Sequence, residues 1–381
     1  MVLIIRDKMK TAGIIAEYNP FHNGHKYHIE KTRKLTGADG VIVVMSGNFV
    51  QRGEYAICDK WSRAKMAICG GADLVIELPV IYSCQSAEFF AKGAVSILEN
   101  LNCNYLSFGT EADDTEEIIK IAEFLKNPDD NFKKTLEESL QKGESYPKAL
   151  SKALGKDEIN TPNNVLAIEY VKQIKNMIPV GVKRQGSLHD GKGSASDIRF
   201  KISNNENAES LMPQTSLDIF KNSGIANREA YEKLVLYKLR TMTADELKNV
   251  PDVNEGLENR IIQCAHKATT LDELLDLIKT KRYTMARIRR ILNNALLGIT
   301  KDYITKAPEY IRVLGMNKTG MEILASLRDN TDIPIITKVA DAPKSKMLDV
   351  DINATNIYSL LADKPSMADL TTSPVISLTD R

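Results

Sequence analysis

At 381 residues, with 43% hydrophobic and 27% charged residues and a net charge of +1, the chain is long enough to bury a large core, and two domains are expected. So even a balance excludes a global field for nucleic acid or membrane, which leaves any polyanion to be met by a local patch. No stretch approaches the roughly 20 apolar residues of a membrane span, and the opening run Met1-Val-Leu-Ile-Ile-Arg6 is too short for a signal peptide. Five scattered cysteines, Cys58, Cys69, Cys84, Cys103 and Cys264, read as reduced thiols, so the expectation is a soluble cytoplasmic protein with no membrane partner. Met9 restarts the chain just ahead of the first strand, and residues 1–8 are expected to be an extension outside the fold.

From there to residue 182 short β-rich apolar runs alternate with helical stretches. Strands are expected over 11–16, 40–45, 74–78, 105–108 and 179–182, and helices over 24–35, 60–69, 86–100, 115–125 and 164–177. This alternation predicts an α/β fold with a parallel sheet and crossover helices. Beyond about residue 205 helical signals dominate. Thr243-Ala-Asp-Glu246 is a capping box, 271–278 reads as a helix, and another helix is expected within 309–327, with Gly315 and Gly320 as interruptions. Residues 334–338 read as a late strand. The division that follows is 9–205 for a catalytic unit and 206–381 for a mainly helical one.

Ligands of a parallel sheet gather beyond the carboxyl ends of its strands. Three polar segments fall there: Glu17-Tyr-Asn-Pro-Phe-His-Asn-Gly-His25, Ser46-Gly-Asn-Phe-Val-Gln-Arg-Gly-Glu54 and Gly109-Thr-Glu111. His22 and His25, with Gly24 between them at a helix start, suit a nucleoside triphosphate. The glycine lets backbone N–H groups approach phosphates, the helix N-terminus adds partial positive charge, and the imidazoles donate to oxygens that gain charge during attack at phosphorus. By spacing alone the pair also reads as a zinc half-site or as ordinary surface histidines, although no Cys-x-x-Cys accompanies it.

Gly193-Ser-Ala-Ser-Asp-Ile-Arg199 is either a second anion clamp with Arg199 as its fork, or plain capping by Ser194 or Ser196 beside a solvated arginine. Arg184 and His189 follow the fifth strand toward the same cleft, His189 being equally readable as ordinary surface. Of Asn163 and Asn164, one reads as an N-cap and the other as a contact for ribose or phosphate. Ser46, Gly47 and Asn48 are a cradle for a small acid neutralised by Arg52, or simply a turn. Asp73 and Glu77 flank the third strand with their facing open.

Lys279-Thr-Lys-Arg-Tyr-Thr-Met-Ala-Arg-Ile-Arg-Arg290 holds six basic residues and no acidic one. From Thr284 it reads as a helix with Ile288, Ile291, Leu292, Ala295 and Leu296 buried, Arg290 facing outward, Arg287 beside it and the Tyr283 ring available for stacking. Such a face fits a phosphate backbone, or is simply solvated.

Gly13-Ile-Ile-Ala-Glu-Tyr-Asn-Pro-Phe-His-Asn-Gly-His25, together with Val44-Met-Ser-Gly-Asn-Phe-Val-Gln-Arg-Gly53, Ala72-Asp-Leu-Val-Ile-Glu-Leu-Pro79, Phe108-Gly109 and Lys279-Thr-Lys-Arg-Tyr-Thr284, resembles the bacterial tRNA(Met) cytidine acetate ligases over nearly the whole chain from Met9. The resemblance implies a Rossmann-like parallel-sheet nucleotidyltransferase domain followed by a mainly helical tRNA-binding domain. It implies ATP, with Mg2+ accompanying it, and acetate that attacks the α-phosphorus to give acetyladenylate. The acetyl group then passes to N4 of the wobble cytidine of elongator tRNA(Met), forming N4-acetylcytidine.

Carried onto this chain, the resemblance makes His22 and His25 catalytic. It places nucleotide contacts at Ile15, Ala16, Glu17, Tyr18, Asn19, Pro20, Phe21, His22, Asn23, Gly24, His25, Lys26, Tyr27 and His28, joined by Gly109, one of Asn163 and Asn164, and Arg184. Ser196 and Arg199 match the second phosphate-binding motif, with Ser196 where a threonine is usual and Ala195 where a serine is. Lys279, Lys281, Arg282, Arg287 and Arg290 would meet tRNA, and no dedicated metal ligands are implied. Two other readings stay open: a nucleotidyltransferase acting on a small phosphorylated metabolite, and a non-catalytic RNA-binding module.

Overall fold

The computed structural model describes residues 9–111, 115–144, 146–156, 161–184, 191, 193–254, 256–280, 282–304, 306–327 and 331–378. His189 and Lys281, singled out above, lie outside the described residues, as does the amino-terminal extension.

In chain order the elements begin β1 (Thr11–Ala16), α1 (Asn23–Thr36), β2 (Gly40–Ser46), β3 (Phe49–Val50), β4 (Glu54–Tyr55), α2 (Lys60–Cys69), β5 (Leu74–Leu78), α3 (Val80–Ser83), α4 (Ala87–Asn100) and β6 (Tyr105–Thr110). Next come α5 (Thr115–Lys126), α6 (Asp130–Gln141), α7 (Tyr146–Leu154), α8 (Pro162–Gln173), β7 (Ile178–Lys183), α9 (Ala195–Ser203), α10 (Gln214–Lys221) and α11 (Arg228–Thr241). The chain ends with α12 (Ala244–Lys248), α13 (Leu257–Lys267), α14 (Leu271–Ile278), α15 (Met285–Leu297), β8 (Ile311–Asn317), α16 (Lys318–Leu327), β9 (Ile335–Ile336), α17 (Lys346–Leu361), α18 (Ala368–Thr371) and β10 (Val375–Ser377).

One sheet runs β10-β8-β5-β2-β1-β6-β7, with β9 alongside β8. Its pairs are parallel except β5 with β8. The Gly-Val-Ile-Val-Val-Met-Ser run of β2 is buried throughout because helices cover both faces, and its alternate residues supply two separate cores. Ile42 and Val44 join Phe90, Ala94 and Leu98 of α4 on one face, while Val41, Val43 and Met45 join Ile29 of α1 and Ala64 and Ala67 of α2 on the other. The first core continues into the later helices through Val235, Leu239, Ile261, Ile288 and Ile291.

The expected strands and helices of the first half are present, with one shortened. Helix α8 stops at Gln173 rather than running to 177, because Ile174 turns to extended backbone at φ −62°, ψ 134°. The larger correction concerns 309–327. A helix does occupy its second part, but Ile311–Asn317 is a strand, with Ile311 and Val313 in one core and Leu314 in the other, and its Arg312 stands in register opposite Glu77 of β5. Three strands thus come from beyond residue 205, so that position marks a rise in helix content and not the end of the sheet. No described helix is long and apolar enough to cross a membrane, and all five cysteines are free, with burial pushing the thiols of Cys58, Cys84 and Cys103 up to about 12.

Candidate active site

The loop from β1 to α1 is built around two rings. His22 is the N-cap of α1, its Nδ1 accepting the Gly24 N–H at 3.0 Å, and its own N–H donates to His25 Nδ1 at 3.2 Å. Both Nδ1 atoms are therefore acceptors, which puts the proton of each neutral imidazole on Nε2 as a donor left for a ligand. The rings stack with centroids 3.6 Å apart. A side chain at Gly24 would put its Cβ 2.8 Å from His22 Cε1, so only glycine leaves the capping ring in place. Behind them Tyr18 holds φ 48°, a left-handed conformation costly for a bulky residue, and its buried ring lies 4.7 Å from that of His25.

Burial, then the charge of Arg184, lowers His22 to about 4. Burial followed by His22, Arg184 and His28 holds His25 well below the ordinary histidine range, and His28, 3.1 Å from Ser107 Oγ, is lowered to about 4 by burial and Arg184. All three are neutral at pH 7. No acidic residue occupies the first turn of α1, so its positive dipole end is left to an anion.

Arg184 follows β7, its N–H donating to Thr110 O at 3.1 Å and its side chain lying across Gly109. Asn164 Oδ1 accepts from Thr110 Oγ1 (3.3 Å) and the Glu111 N–H (3.2 Å), pinning the end of β6, while the half-buried Asn163 donates to Glu111. Ser194 caps α9 through the Asp197 N–H (3.1 Å), which is the capping alternative for that residue. Arg199, however, is not simply solvated: it reaches the loop between β1 and α1 at Asn19 O (2.7 Å), with Ser196 Oγ 3.5 Å away.

Within the loop the side chains divide. Ile15 and Ala16 end β1 half-buried, Glu17 turns to the Gln51 N–H (3.0 Å), its carboxyl raised by burial, and Pro20 and Phe21 are buried, Phe21 against Gly70. Asn23 donates to Ser210 O (3.0 Å), Lys26 faces solvent beside Glu30, and Tyr27 carries Lys31 over its ring.

A family model described as HIGH Nucleotidyl Transferase matches residues 9–372. The tRNA(Met) cytidine acetate ligase of Clostridium perfringens is 41% identical over 97% of this chain and 100% of its own length, and that of Clostridium tetani 42% identical over 95% and 98%. The chain belongs to the tRNA(Met) cytidine acetate ligase family. Among solved structures, Thermotoga maritima TmcAL bound with alpha-thio ATP superposes with a TM-score of 0.90 at 32% identity, covering 97% of this chain and 100% of that one.

Several expectations are corrected in this ligase family member. The loop after β2 is braced internally, as its reading as a turn has it: Asn48 Oδ1 accepts the Lys60 N–H (2.9 Å), and Ser46 O and Gly47 O accept from Arg63. Asp73 turns inward to Arg33 (2.5 Å), the Val41 N–H and Asn317. Glu77 sits in a buried ionic cluster with Lys60 (2.7 Å) and Arg312 (3.0 Å), both of which also bind Asp369 (2.8 and 2.5 Å).

The basic segment is corrected most. Arg290 is buried, not outward, because Asp252 draws it in (3.2 Å). Arg287 is held by Asp252 O (2.7 Å) and Asn254 (2.9 Å) and stacks on Tyr283, whose ring is buried rather than available. Lys279 and Arg282 remain exposed, Lys279 donating to Tyr283 O. Sequence reasoning missed Glu54 and Arg289, which pair at 2.5 Å.

Proposed function

We propose that the protein is an ATP-dependent ligase that activates acetate and acetylates N4 of the wobble cytidine in elongator tRNA(Met). One observation carries this reading: two stacked, neutral imidazoles at a helix N-terminus, each with its Nε2 proton unspent, beside Arg184 and within one loop of Arg199. In the first step an acetate oxygen forms a bond to the α-phosphorus as the bond to pyrophosphate breaks. His22 and His25 donate to phosphate oxygens as their charge grows, the end of α1 adds its dipole, and Arg184 and Arg199 neutralise the departing pyrophosphate. In the second step N4 attacks the acetyl carbonyl, AMP leaves and N4 gives up a proton. Mg2+ accompanying ATP would neutralise phosphate charge while keeping much of its water.

Among the described residues of the basic segment the exposed Arg282 and Lys279 would meet the tRNA backbone, and adenylation and RNA binding would divide at about residue 205 even though strands from beyond that position complete the sheet. A tRNA substrate places the protein in the cytoplasm. Purified protein given ATP, labelled acetate and elongator tRNA(Met) should yield label in nuclease-sensitive material. Folded protein that labels no tRNA, or exchanges pyrophosphate into ATP without needing acetate, would overturn the reading.

A further inference from the structure

The β3–β4 hairpin is tied to the nucleotide loop at both ends. Gln51 N–H donates to Glu17 (3.0 Å), and Ile57 N–H to Asn19 Oδ1 (2.7 Å). Its tip meets α15: Gly53 adopts φ 75°, and a Cβ there would lie 2.3 Å from the Arg290 backbone nitrogen and 2.4 Å from the Arg289 carbonyl carbon. The two backbones touch, and glycine alone permits it.

Beside this contact one carboxylate serves two guanidinium groups. Glu54 Oε1 lies 2.5 Å from Arg289 Nη1, and Oε2 lies 3.4 Å from Arg199 Nη2. The shorter bond belongs to α15 and the longer to the arginine that also holds Asn19 O. Phosphate arriving at Arg199 competes with Glu54, and anything that removes Arg289 leaves Glu54 wholly to Arg199.

We propose that Glu54 is a positioning residue through which Arg289 controls Arg199, so that a polyanion drawing Arg289 aside weakens the hold on triphosphate and pyrophosphate. The proposal rests on the reading of Arg199 as a phosphate ligand given above. Because coupling free energy is reciprocal, RNA arriving on α15 and pyrophosphate leaving the loop favour one another.

Affinity for α,β-methylene-ATP, measured by calorimetry on the full chain, tests it through opposite signs. Glu54→Gln removes the competitor of Arg199 and should tighten binding, while Arg289→Gln should loosen it, each by about two- to fivefold for a half-exposed ion pair. The double variant should follow Glu54→Gln. Saturating elongator tRNA(Met) should loosen the analogue in the wild type and leave its affinity unchanged in Arg289→Gln. A hairpin that only supports the fold would move both single variants in one direction, and that result, or a tRNA effect undiminished in Arg289→Gln, overturns the proposal. Arg199→Gln separates the levels: weakened binding there with like-signed effects at Glu54 and Arg289 removes the relay alone, whereas unchanged binding removes the phosphate reading of Arg199 and the relay with it.

Discussion

The imidazoles of His22, buried, and of His25 and His28, half-buried, and the buried ionic cluster of Lys60, Glu77, Arg312 and Asp369 meet the cost of burial in opposite ways. The imidazoles give up their charge, and the Nε2 donors of His22 and His25 are not consumed by the Nδ1 bonds that orient those two rings, whereas Nε2 of His28 is engaged with Ser107 Oγ. The cluster instead sets two cations against two carboxylates, with Lys60 and Arg312 holding Asp369 down at about 2 although burial alone would raise it. A saturated group holds elements together, and an unsaturated one is available to a ligand.

The strongest way to break that contrast is at the cluster. Lys60→Met should cost about 3–5 kcal/mol by leaving Glu77 and Asp369 to share Arg312 alone, read as a fall in the denaturation midpoint, and a midpoint within error of wild type would show Lys60 to be dispensable. His25→Ala should do the reverse. Acetate-dependent exchange of pyrophosphate into ATP should fall about 10²- to 10³-fold, with loss of its capping bond costing no more than about 1 kcal/mol of stability. A melting point far below wild type would make His25 a structural residue instead.

Much of this contrast was legible in the sequence, and the part that was not has a physical reason. Buried parallel strands are continuous apolar runs, so β1, β2 and β5 stood out, and the histidine pair announced itself through the glycine before His25. Strand β8 did not, because the Leu, Met and Gly of Ile311–Asn317 favour no strand locally, and only pairing with β5 and the meeting of Arg312 with Glu77 make it one. Arg290 was misread for a related reason: helical spacing gives a direction but not the carboxylate of Asp252 that waits there. The pairing of Glu54 with Arg289 spans 235 positions and leaves no local trace.

A titration sharpens the comparison further. His22 moves from 6.5 to about 4 on folding, so as pH falls the unfolded chain takes up its proton first; the folded state has its full advantage above about 6.5 and loses it progressively down to about 4. The loss should reach at most about 3 kcal/mol for this ring, seen as a melting temperature that is level from pH 8 to 7 and declines below 6.5. His28→Gln should flatten the decline, since His28 shares the same window. No decline between pH 6.5 and 4.5 would mean that the rings take up protons in the folded protein as readily as in the unfolded chain. Smallest of all, Arg282→Ala should weaken tRNA binding a few-fold and reduce its salt slope by about one, with acetate-dependent exchange unchanged; an unaltered slope would exclude a phosphate contact at that position.

The antiparallel placement of β8 beside β5 bears on how this protein could be dissected or could have arisen. A fragment ending near residue 205 would leave β5 as a bare sheet edge, with Glu77 deprived of Arg312 and a row of unpaired backbone groups inviting self-association. The part beyond residue 205 is therefore no detachable cassette bolted onto a finished enzyme: the strand it lends covers the edge of the sheet whose β1 carries the histidine loop, so the two parts are expected to be expressible only together.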